Sequence, residues 1–423
     1  MTVGPMPLRF CLVTTFYPPY HFGGDGVCVY RLAEALARRG HHVDVLHSVD
    51  SYRLAHPADP EVAYEHHPNV TLHPLESSSP RWAALMAHQL GRPAAYGKRI
   101  DAVLADGDHD VIHYHNISLM GGPGILRSGG ARAGGGRPVK LYTAHEYWLV
   151  CPTHVLFRMD EEACTDKTCL RCTLHHRRPP QPWRATGWLK RCVDEVDLFL
   201  MPSRFALERH RADGLDRPMR HLPHFVPDPA IEAPAGTPGT GPVIDLDAPY
   251  FLYVGRLEKL KGVQDLLRLF GEYRKARLLI VGDGDHRPEL EHLARDLPHV
   301  HFLGQVHPGR LAQLYARALS VLVPSLCYEV FNLIPVEAFA QGTPAIVRDL
   351  GATPELVHHS GAGAVFETLD DCRHSMEQLR TIPGRRDEQG RRGREAYEAT
   401  WTEDVHMDAY LGIVDELRAG RAT

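Results

Sequence analysis

Short apolar segments alternate with amphipathic ones along most of the chain, and this alternation limits the fold more than any other feature. In the first half the apolar segments are residues 10–15, 43–46, 111–114, 139–143 and 198–201. In the second half they are residues 250–254, 277–281, 301–303, 321–323 and 345–347. Helical patterns separate them, as in Val29, Leu32, Ala33 and Leu36. Strands that alternate with helices predict parallel sheets covered by helices on both faces.

A stretch rich in Pro, Gly, Ala and Asp interrupts this pattern at residues 227–247. The whole chain has 423 residues, more than the ~100–200 expected of one domain. We therefore predict an N-terminal domain over 1–226, a linker over 227–247 and a C-terminal domain over 248–400. Residues 401–423 read as a last helix that returns to the N-terminal domain. The predicted fold class is α/β, two doubly wound Rossmann-like domains with a cleft at the carboxyl ends of their strands.

Composition excludes several functions. The formal net charge is −5, so the basic surface of a nucleic-acid-binding protein is not evident. No segment approaches the ~18 apolar residues of a membrane span, and the N-terminus lacks the apolar core of a signal peptide. We expect a cytoplasmic protein, whose nine cysteines do not form a disulfide framework.

Two glutamates eight residues apart form the strongest candidate site. Glu329 lies in a loop after a predicted strand, and Glu337 is expected in the first turn of the next helix, where Pro335 also fits. The free N–H groups of that helix start would suit a diphosphate. The alternative is a capping carboxylate beside a solvated one.

Cations and glycines complete this candidate. Arg256 and Lys261 flank a turn between a predicted strand and helix, a position suited to a leaving diphosphate, although exposed basic loop residues would look the same. Near the N-terminus a glycine-rich loop, 23–26, precedes the first helix. Such a loop lets backbone N–H groups approach a phosphate, but by itself it is a weak signal.

Together these residues resemble the retaining GT-B glycosyltransferases of family 4. The resemblance covers nearly the whole chain. Its specific part is the pair Glu329 and Glu337 with Arg256 and Lys261. The supporting segments are Gly23-Gly24, residues 110–116, residues 143–146, residues 222–226, and Val281-Gly-Asp-Gly284.

The resemblance implies a role for each matching position. Arg256 and Lys261 would hold the nucleotide diphosphate, Glu337 the ribose and Glu329 the donor sugar, with His145 near the reactive face of the sugar. Further donor-binding positions would be Gly23, Gly24, Gly255, Gly284, Gln305, Val306, Val330, Phe331, Asn332 and Leu333. The chain departs from the family at Val330 and Asn332, where glycine is common, and at Glu146, where Asp is more usual.

The implied reaction moves a sugar from a nucleoside diphosphate sugar to a hydroxyl or amine acceptor with retention. Attack on the face that the diphosphate leaves needs no catalytic cofactor, and the Asp-x-Asp triplets read as turns rather than a metal site. The acceptor is not identified; the arginine-rich composition suggests a bacterium, and a secondary metabolite or surface glycan. The alternatives are a sugar-nucleotide epimerase on the same scaffold and a non-catalytic transferase-like partner.

Four cysteines are concentrated in the polar segment after His145, at Cys151, Cys164, Cys169 and Cys172. Their Cys-x-x-Cys pair and two further thiols suit a tetrahedral structural zinc ion. A mixture of buried and free thiols is the alternative, and an iron–sulfur cluster is a weaker one. Basic residues interleaved with Trp follow at 177–191; membrane contact is conceivable there, but a solvated helix with two core Trp is favoured.

Overall fold

The computed structural model describes residues 6–56, 58–60, 63–130, 132, 135–228 and 245–422. Most of the predicted linker, residues 229–244, lies outside the described residues. The described residues form two parallel α/β sheets, one in each half of the chain, and a small antiparallel hairpin. None of the helices they contain is long and apolar enough to span a membrane.

The first sheet contains seven of the described strands in the order β3-β2-β1-β4-β5-β8-β9, all paired in parallel. Its strands are β1 Arg9–Val13, β2 His42–Ser48, β3 Val70–Leu75, β4 Val111–Tyr114, β5 Val139–Thr143, β8 Leu198–Met201 and β9 Met219–His221. Between β5 and β8 lies the hairpin of β6 Phe157–Arg158 and β7 Glu162–Ala163. The order changes direction at β1 and β4, and ligands bind at such a switch point in doubly wound folds.

The second sheet contains six described strands in the order β12-β11-β10-β13-β14-β15, again all parallel. They are β10 Tyr250–Val254, β11 Arg277–Val281, β12 Val300–Gly304, β13 Val321–Val323, β14 Ala345–Arg348 and β15 Gly363–Phe366. Its switch point falls at β10 and β13, next to the segments that carry Arg256 and Glu329.

Helices cover both faces of each sheet. In the N-terminal half they are α1 Gly24–Arg38, α2 Val49–Ala55, α3 Pro80–Leu90, α4 Gly97–Asp106, α5 Cys169–His175, α6 Trp188–Val193 and α7 Arg204–Ala212. In the C-terminal half they are α8 Val263–Glu272, α9 Arg287–Leu293, α10 Pro308–Arg317, α11 Leu333–Ala340, α12 Thr353–Ser360, α13 Leu369–Thr381, α14 Arg385–Thr400 and α15 Glu403–Ala422. Helix α8, for example, buries Val263, Leu266, Leu267 and Phe270 in the core on one face of its sheet.

The last helix, α15, packs against the N-terminal sheet. Met407, Tyr410, Ile413 and Val414 are buried in the same core as β1 and α1. At its start Glu403 pairs with Arg38 and Arg39, with a distance of 2.7 Å from Arg39 Nη1 to Glu403 Oε1. The chain therefore ends on the domain in which it began.

Three strands that the apolar pattern did not predict lie at sheet edges. These are β3, β9 and β15. Only Leu75 of β3 is fully buried and none of β9 is, because an edge strand lacks a neighbour on one side and tolerates polar residues. The interior strands β4, β5, β8, β10, β11 and β13 have the bounds that the sequence predicts.

The tryptophans of the basic segment serve packing. Trp183 is buried and its Nε1 donates to the carbonyl oxygen of His88 at 2.7 Å. Trp188 Nε1 donates to the carbonyl oxygen of Gly91 at 2.9 Å, and Arg92 lies over its ring. These contacts favour the packing interpretation of this segment over a membrane surface.

Candidate active site

A partly buried ion pair marks the C-terminal side of the cleft. Lys261 Nζ donates to Glu329 Oε1 at 2.7 Å, and Ser325 Oγ donates to the same oxygen at 2.9 Å. Lys261 follows β10 and Glu329 follows β13, so neighbouring strands deliver them to one edge of the sheet. Burial alone would lower the pKa of Lys261, but the Glu329 carboxylate outweighs it and the pKa is raised. The raised pKa keeps the Lys261 ammonium charged, and the Glu329 carboxylate balances that charge.

Arg256 lies on the same loop and is more exposed. Its Nη1 pairs with Glu258 Oε1 at 2.6 Å, and 57% of its side chain is exposed. The structure therefore brings Lys261 and Glu329 into direct contact and places Arg256 beside them with its own counter-ion.

Glycines give this loop its shape. Gly262 has φ +75°, and a Cβ there would lie 2.1 Å from the carbonyl oxygen of Pro324. A Cβ on Gly284 would lie 2.4 Å from the carbonyl oxygen of Leu257. Gly255 likewise has φ +150°. Glycine is required at positions 262 and 284 because neighbouring backbone lies too close for a Cβ. Both contacts lie behind the loop that carries Arg256 and Lys261.

Helix α11 begins at Leu333, so the expected position of Glu337 in its first turn is wrong. Asn332 caps the helix, and its Oδ1 accepts a hydrogen bond from Ile334 N at 3.1 Å. Glu337 is therefore in the second turn rather than the first. Its Oε2 accepts a hydrogen bond from Tyr315 OH at 2.9 Å. Of the N–H groups at the start of α11, that of Ile334 is already used by this cap.

The glycine loop of the N-terminal domain faces this site across the cleft. Gly23 has φ +70°, and a Cβ there would lie 3.9 Å from Arg256 Nε. A Cβ on Gly24 would lie 3.2 Å from Leu333 Cδ1. The predicted sites of the two domains are therefore opposed, with α1 beginning directly opposite α11.

Asp25, the next residue, was not predicted as a site residue. Its carboxylate accepts hydrogen bonds from Gly26 N at 2.9 Å and Asn116 Nδ2 at 3.3 Å. Burial raises its pKa to about 6, and the nearby Glu146 adds to the rise. The signal available in the sequence was an acidic residue just after two glycines in the first turn of a helix.

His145 belongs to a group of neutral histidines at the carboxyl ends of β4 and β5. The distance between His145 Nε2 and His115 Nδ1 is 2.9 Å. The ring of His145 stacks on that of His224, with centroids 4.8 Å apart, and His224 meets Phe331 edge-on. Burial holds the pKa of all three histidines well below its usual range. His224 therefore links His145 to Phe331 of the C-terminal domain.

The two unexpected residues of the Glu329–Leu333 segment have packing and capping roles. Val330 is buried against Tyr147 and Cys151 of the N-terminal domain. Its carbonyl oxygen accepts from Ser203 Oγ at 2.7 Å, and that of Glu329 accepts from Tyr147 OH at 3.2 Å. The Val330 side chain therefore packs at the contact between the two domains. At position 332, where glycine is common in the family, the Asn side chain caps helix α11.

Gln305 and Val306 directly follow β12 at the same edge of the sheet. Gln305 is exposed and Val306 is half-buried against the C-terminal core. Gly304, before them, accepts a hydrogen bond from Gly282 N at 2.8 Å through its carbonyl oxygen. Gln305 and Val306 thus lie where the resemblance expects contact with the nucleotide base. That role stays a prediction.

The four clustered cysteines surround the hairpin and α5. Cys151 precedes the hairpin, Cys164 follows it, and Cys169 and Cys172 lie in the first turn of α5. All four are free thiols, and burial together with Cys151, Cys169 and Cys172 raises the pKa of Cys164. Within the described parts of the chain no three of these thiols approach within 4.8 Å of one another. The zinc site therefore stays a prediction.

The chain is similar to known proteins in both sequence and fold. Residues 22–228 match the family model for Glycosyltransferase Family 4, and residues 248–381 match that for Glycosyl transferases group 1. A D-inositol 3-phosphate glycosyltransferase of Gordonia bronchialis is 29% identical over 459 aligned positions, which cover 99% of this chain and 92% of that protein.

Solved structures reproduce both domains. The sucrose-phosphate synthase of Thermosynechococcus elongatus is 22% identical with a TM-score of 0.73, covering 98% of this chain and 100% of that one. An Anabaena protein, HepE, solved with UDP-glucose, is 15% identical with a TM-score of 0.63, covering 98% and 100%. Two opposed doubly wound domains with such neighbours define a GT-B glycosyltransferase, and the predicted fold is confirmed. The chain belongs to glycosyltransferase family 4, in the group 1 transferases.

Proposed function

We propose that this enzyme transfers a sugar from a nucleoside diphosphate sugar to a hydroxyl or amine of an acceptor, with retention at the anomeric carbon. The observation that carries the proposal is the partly buried Lys261–Glu329 pair beside Arg256, opposite the Gly23–Gly24 loop. Both sides of the cleft thus present groups that bind anions: two cations on one side and the start of α1 on the other.

The relatives support this donor class. The Gordonia bronchialis relative is a D-inositol 3-phosphate glycosyltransferase, and the Anabaena neighbour was solved with UDP-glucose. The base and the sugar used by this chain stay open. The acceptor class, a bacterial metabolite or a surface glycan, stays a prediction.

Charge stabilisation is the main catalytic contribution in this proposal. Arg256 and Lys261 hold the diphosphate, and the N–H groups at the start of α11 donate to it. Glu329, already fixed by Lys261 and Ser325, contacts the sugar, and Glu337 accepts from the ribose hydroxyls. Such fixed groups stabilise the negative charge that develops as the diphosphate leaves.

The proposed reaction runs on one face of the sugar. The bond from the anomeric carbon to the phosphate oxygen breaks, and its electron pair stays on the diphosphate. The acceptor oxygen or nitrogen forms a bond to the same carbon on the same face, and its proton passes to the leaving phosphate oxygen. The neutral His145 accepts or donates a hydrogen bond at the sugar without adding charge, so the step needs no metal ion.

The test is transfer by variants of the two cations. Arg256→Ala and Lys261→Ala should each lower kcat by ~10²–10³, the effect of removing one preorganised charge-stabilising group. Transfer is measured as nucleoside diphosphate released from the donor found by a thermal-shift screen of UDP-, GDP-, dTDP- and ADP-sugars.

Two exposed cations of the same region serve as matched controls. Lys259 lies two residues from Lys261, and Arg268 lies on α8; both are exposed. Lys259→Ala and Arg268→Ala should retain the activity of the unmodified enzyme. Near-normal turnover in Arg256→Ala or Lys261→Ala would reject the assignment, and a changed sugar nucleotide recovered without acceptor would indicate an epimerase instead.

A further inference from the structure

A small cavity lies beneath the cleft, beside the carboxyl ends of β4 and β5. Its volume is about 20 Å³, enough for one water molecule or one ion. The side chains around it include one thiol and five imidazoles, from Cys28, His113, His115, His145, His224 and His406. A cavity of this size with six nitrogen- or sulfur-bearing side chains has the chemistry of a transition-metal site.

Three of these side chains already converge. One ligand atom each of Cys28, His145 and His224 lies within 4.8 Å of the other two. Among the described residues this is the one group of three or more potential metal ligands that meets this spacing. Ligand atoms around a tetrahedral Zn²⁺ are roughly 3.4–3.8 Å apart, from bond lengths of about 2.0–2.3 Å. Metal binding therefore needs an approach of about 1 Å between the ligand atoms. It also needs a rotation of the parallel His145 and His224 rings, so that a nitrogen lone pair of each points at the same ion.

The surroundings hold the histidines in the way metal ligands are held. His145 is tied through Nε2 to His115 Nδ1 at 2.9 Å, the kind of contact that fixes the orientation of a ligating imidazole. Behind it, His113 is fixed by Tyr410 OH at 3.0 Å and Thr143 Oγ1 at 2.8 Å. The His115 side chain is buried, and its Nε2 is without a hydrogen-bond partner in the structure. A metal-bound water would provide one.

We propose that Cys28, His145 and His224 form a site for a divalent transition-metal ion of the zinc class, with the fourth position open to water. The two imidazoles bind as neutral ligands, and the Cys28 sulfur binds as a thiolate whose proton is released to the solvent. Three protein ligands and one open position are the usual composition of an accessible zinc site.

Occupation of this site affects transfer, and this consequence rests on the proposed function. A metal ion bound to His145 occupies the imidazole that the proposed reaction uses at the sugar. Zn²⁺ at micromolar concentration should therefore inhibit transfer reversibly, and a chelator should restore it. The binding measurement below does not depend on transfer, so a failure of the proposed function would leave it interpretable.

The test counts metal ions bound by the full chain. Zn²⁺ is titrated by calorimetry into the reduced, metal-free protein, and Cys28→Ser, His224→Gln and Cys372→Ser are titrated in the same way. Cys372 is buried against Met376, far from the cleft, and serves as the matched control. Zinc bound elsewhere, including at the Cys151–Cys172 segment, contributes equally to all four proteins.

The expected result is one equivalent fewer, or at least a tenfold weaker site, in Cys28→Ser and in His224→Gln but not in Cys372→Ser. Co²⁺ gives a second readout, because a thiolate–cobalt absorption band should diminish in Cys28→Ser. The unfolding temperature of each variant shows whether it is folded. Equal zinc stoichiometry and affinity in the unmodified protein and in either folded variant would overturn the proposal.

Discussion

The contact between Lys261 and Glu329 is central to the candidate site, and the sequence predicts only part of it. The sequence places both after strands, but it carries no information about the 2.7 Å contact between them. That contact depends on β10 and β13 being neighbours, which follows from strand order rather than from either segment. The residue types were predictable from the resemblance, and the pairing was not.

Asp25 gives a prediction about pH. Its pKa of about 6 in the folded chain exceeds the ~3.9 of an unfolded Asp. Its stabilising contribution is therefore full below about pH 4 and is lost as the pH rises through 6. Asp25→Asn should gain stability over the unmodified protein between pH 5 and pH 8, by up to ~2 kcal/mol.

Urea unfolding at pH 5, 6, 7 and 8 measures this difference. The control is Asp296→Asn, which removes the carboxylate of a side chain that is 86% exposed. A difference between Asp25→Asn and the unmodified protein that does not change with pH would contradict the raised pKa.

The abundant histidines, 28 in the chain, are partly explained by their contacts. His73 and His109 both bind the Asp44 carboxylate, at 2.7 and 2.8 Å. Another group gathers beneath the cleft around His145. The number of histidines does not show which of them bind a carboxylate and which gather beneath the cleft, because each histidine's partners are distant in sequence.

At the scale of elements, interior strands were predictable and edge strands were not. β10 and β13 are continuous apolar runs because neighbours cover them on both sides. β15 at the edge is mostly half-buried, so it lacks such a run. Likewise the start of α11 depended on the side chain of Asn332, which moved Glu337 into the second turn.

The loop that carries Lys261 gives a second prediction. Gly262→Ala should destabilise the protein by about 1–3 kcal/mol, because its φ is +75° and its Cβ would meet the Pro324 carbonyl oxygen. Donor affinity should fall with it, since the loop would shift. Gly271→Ala on α8 has open space around its Cβ and should be neutral or stabilising. Equal unfolding free energies for the two variants would contradict this account of the loop.

The cysteines around α5 give a third prediction. We expect about one equivalent of zinc held by Cys151, Cys164, Cys169 and Cys172, which elemental analysis of protein purified without chelator would detect. The double variant Cys169→Ser/Cys172→Ser should lose that equivalent, and Cys372→Ser should retain it. Less than about half an equivalent attributable to these four thiols would remove the zinc site.

At the scale of the whole molecule, contacts between the domains shape the cleft. Arg204 N and Phe205 N, at the start of α7, donate to Glu355 of the C-terminal domain at 3.0 and 2.5 Å. The last helix then returns to the N-terminal sheet, where Tyr410 OH lies 3.0 Å from His113 Nδ1. Both ends of the chain therefore support the domain that carries Asp25 and His145.

The doubly wound halves, the cleft and most candidate residues followed from the sequence and its resemblance. The group of Cys28, His115, His145 and His224 was not predictable from the sequence. Its members come from α1, from the ends of β4 and β5, and from the segment after β9. Such a group forms only when distant segments meet, and no local pattern encodes it.

The central claim is that the diphosphate of a sugar nucleotide binds between the Arg256–Lys261 loop and the start of α11. Calorimetric titration with UDP, GDP, dTDP and ADP tests it most directly. We predict that at least one of them binds the unmodified protein and Lys259→Ala equally, and Lys261→Ala at least tenfold more weakly, a loss of about 1.4 kcal/mol or more. Binding of none of the four, or equal binding by Lys261→Ala, would contradict the account.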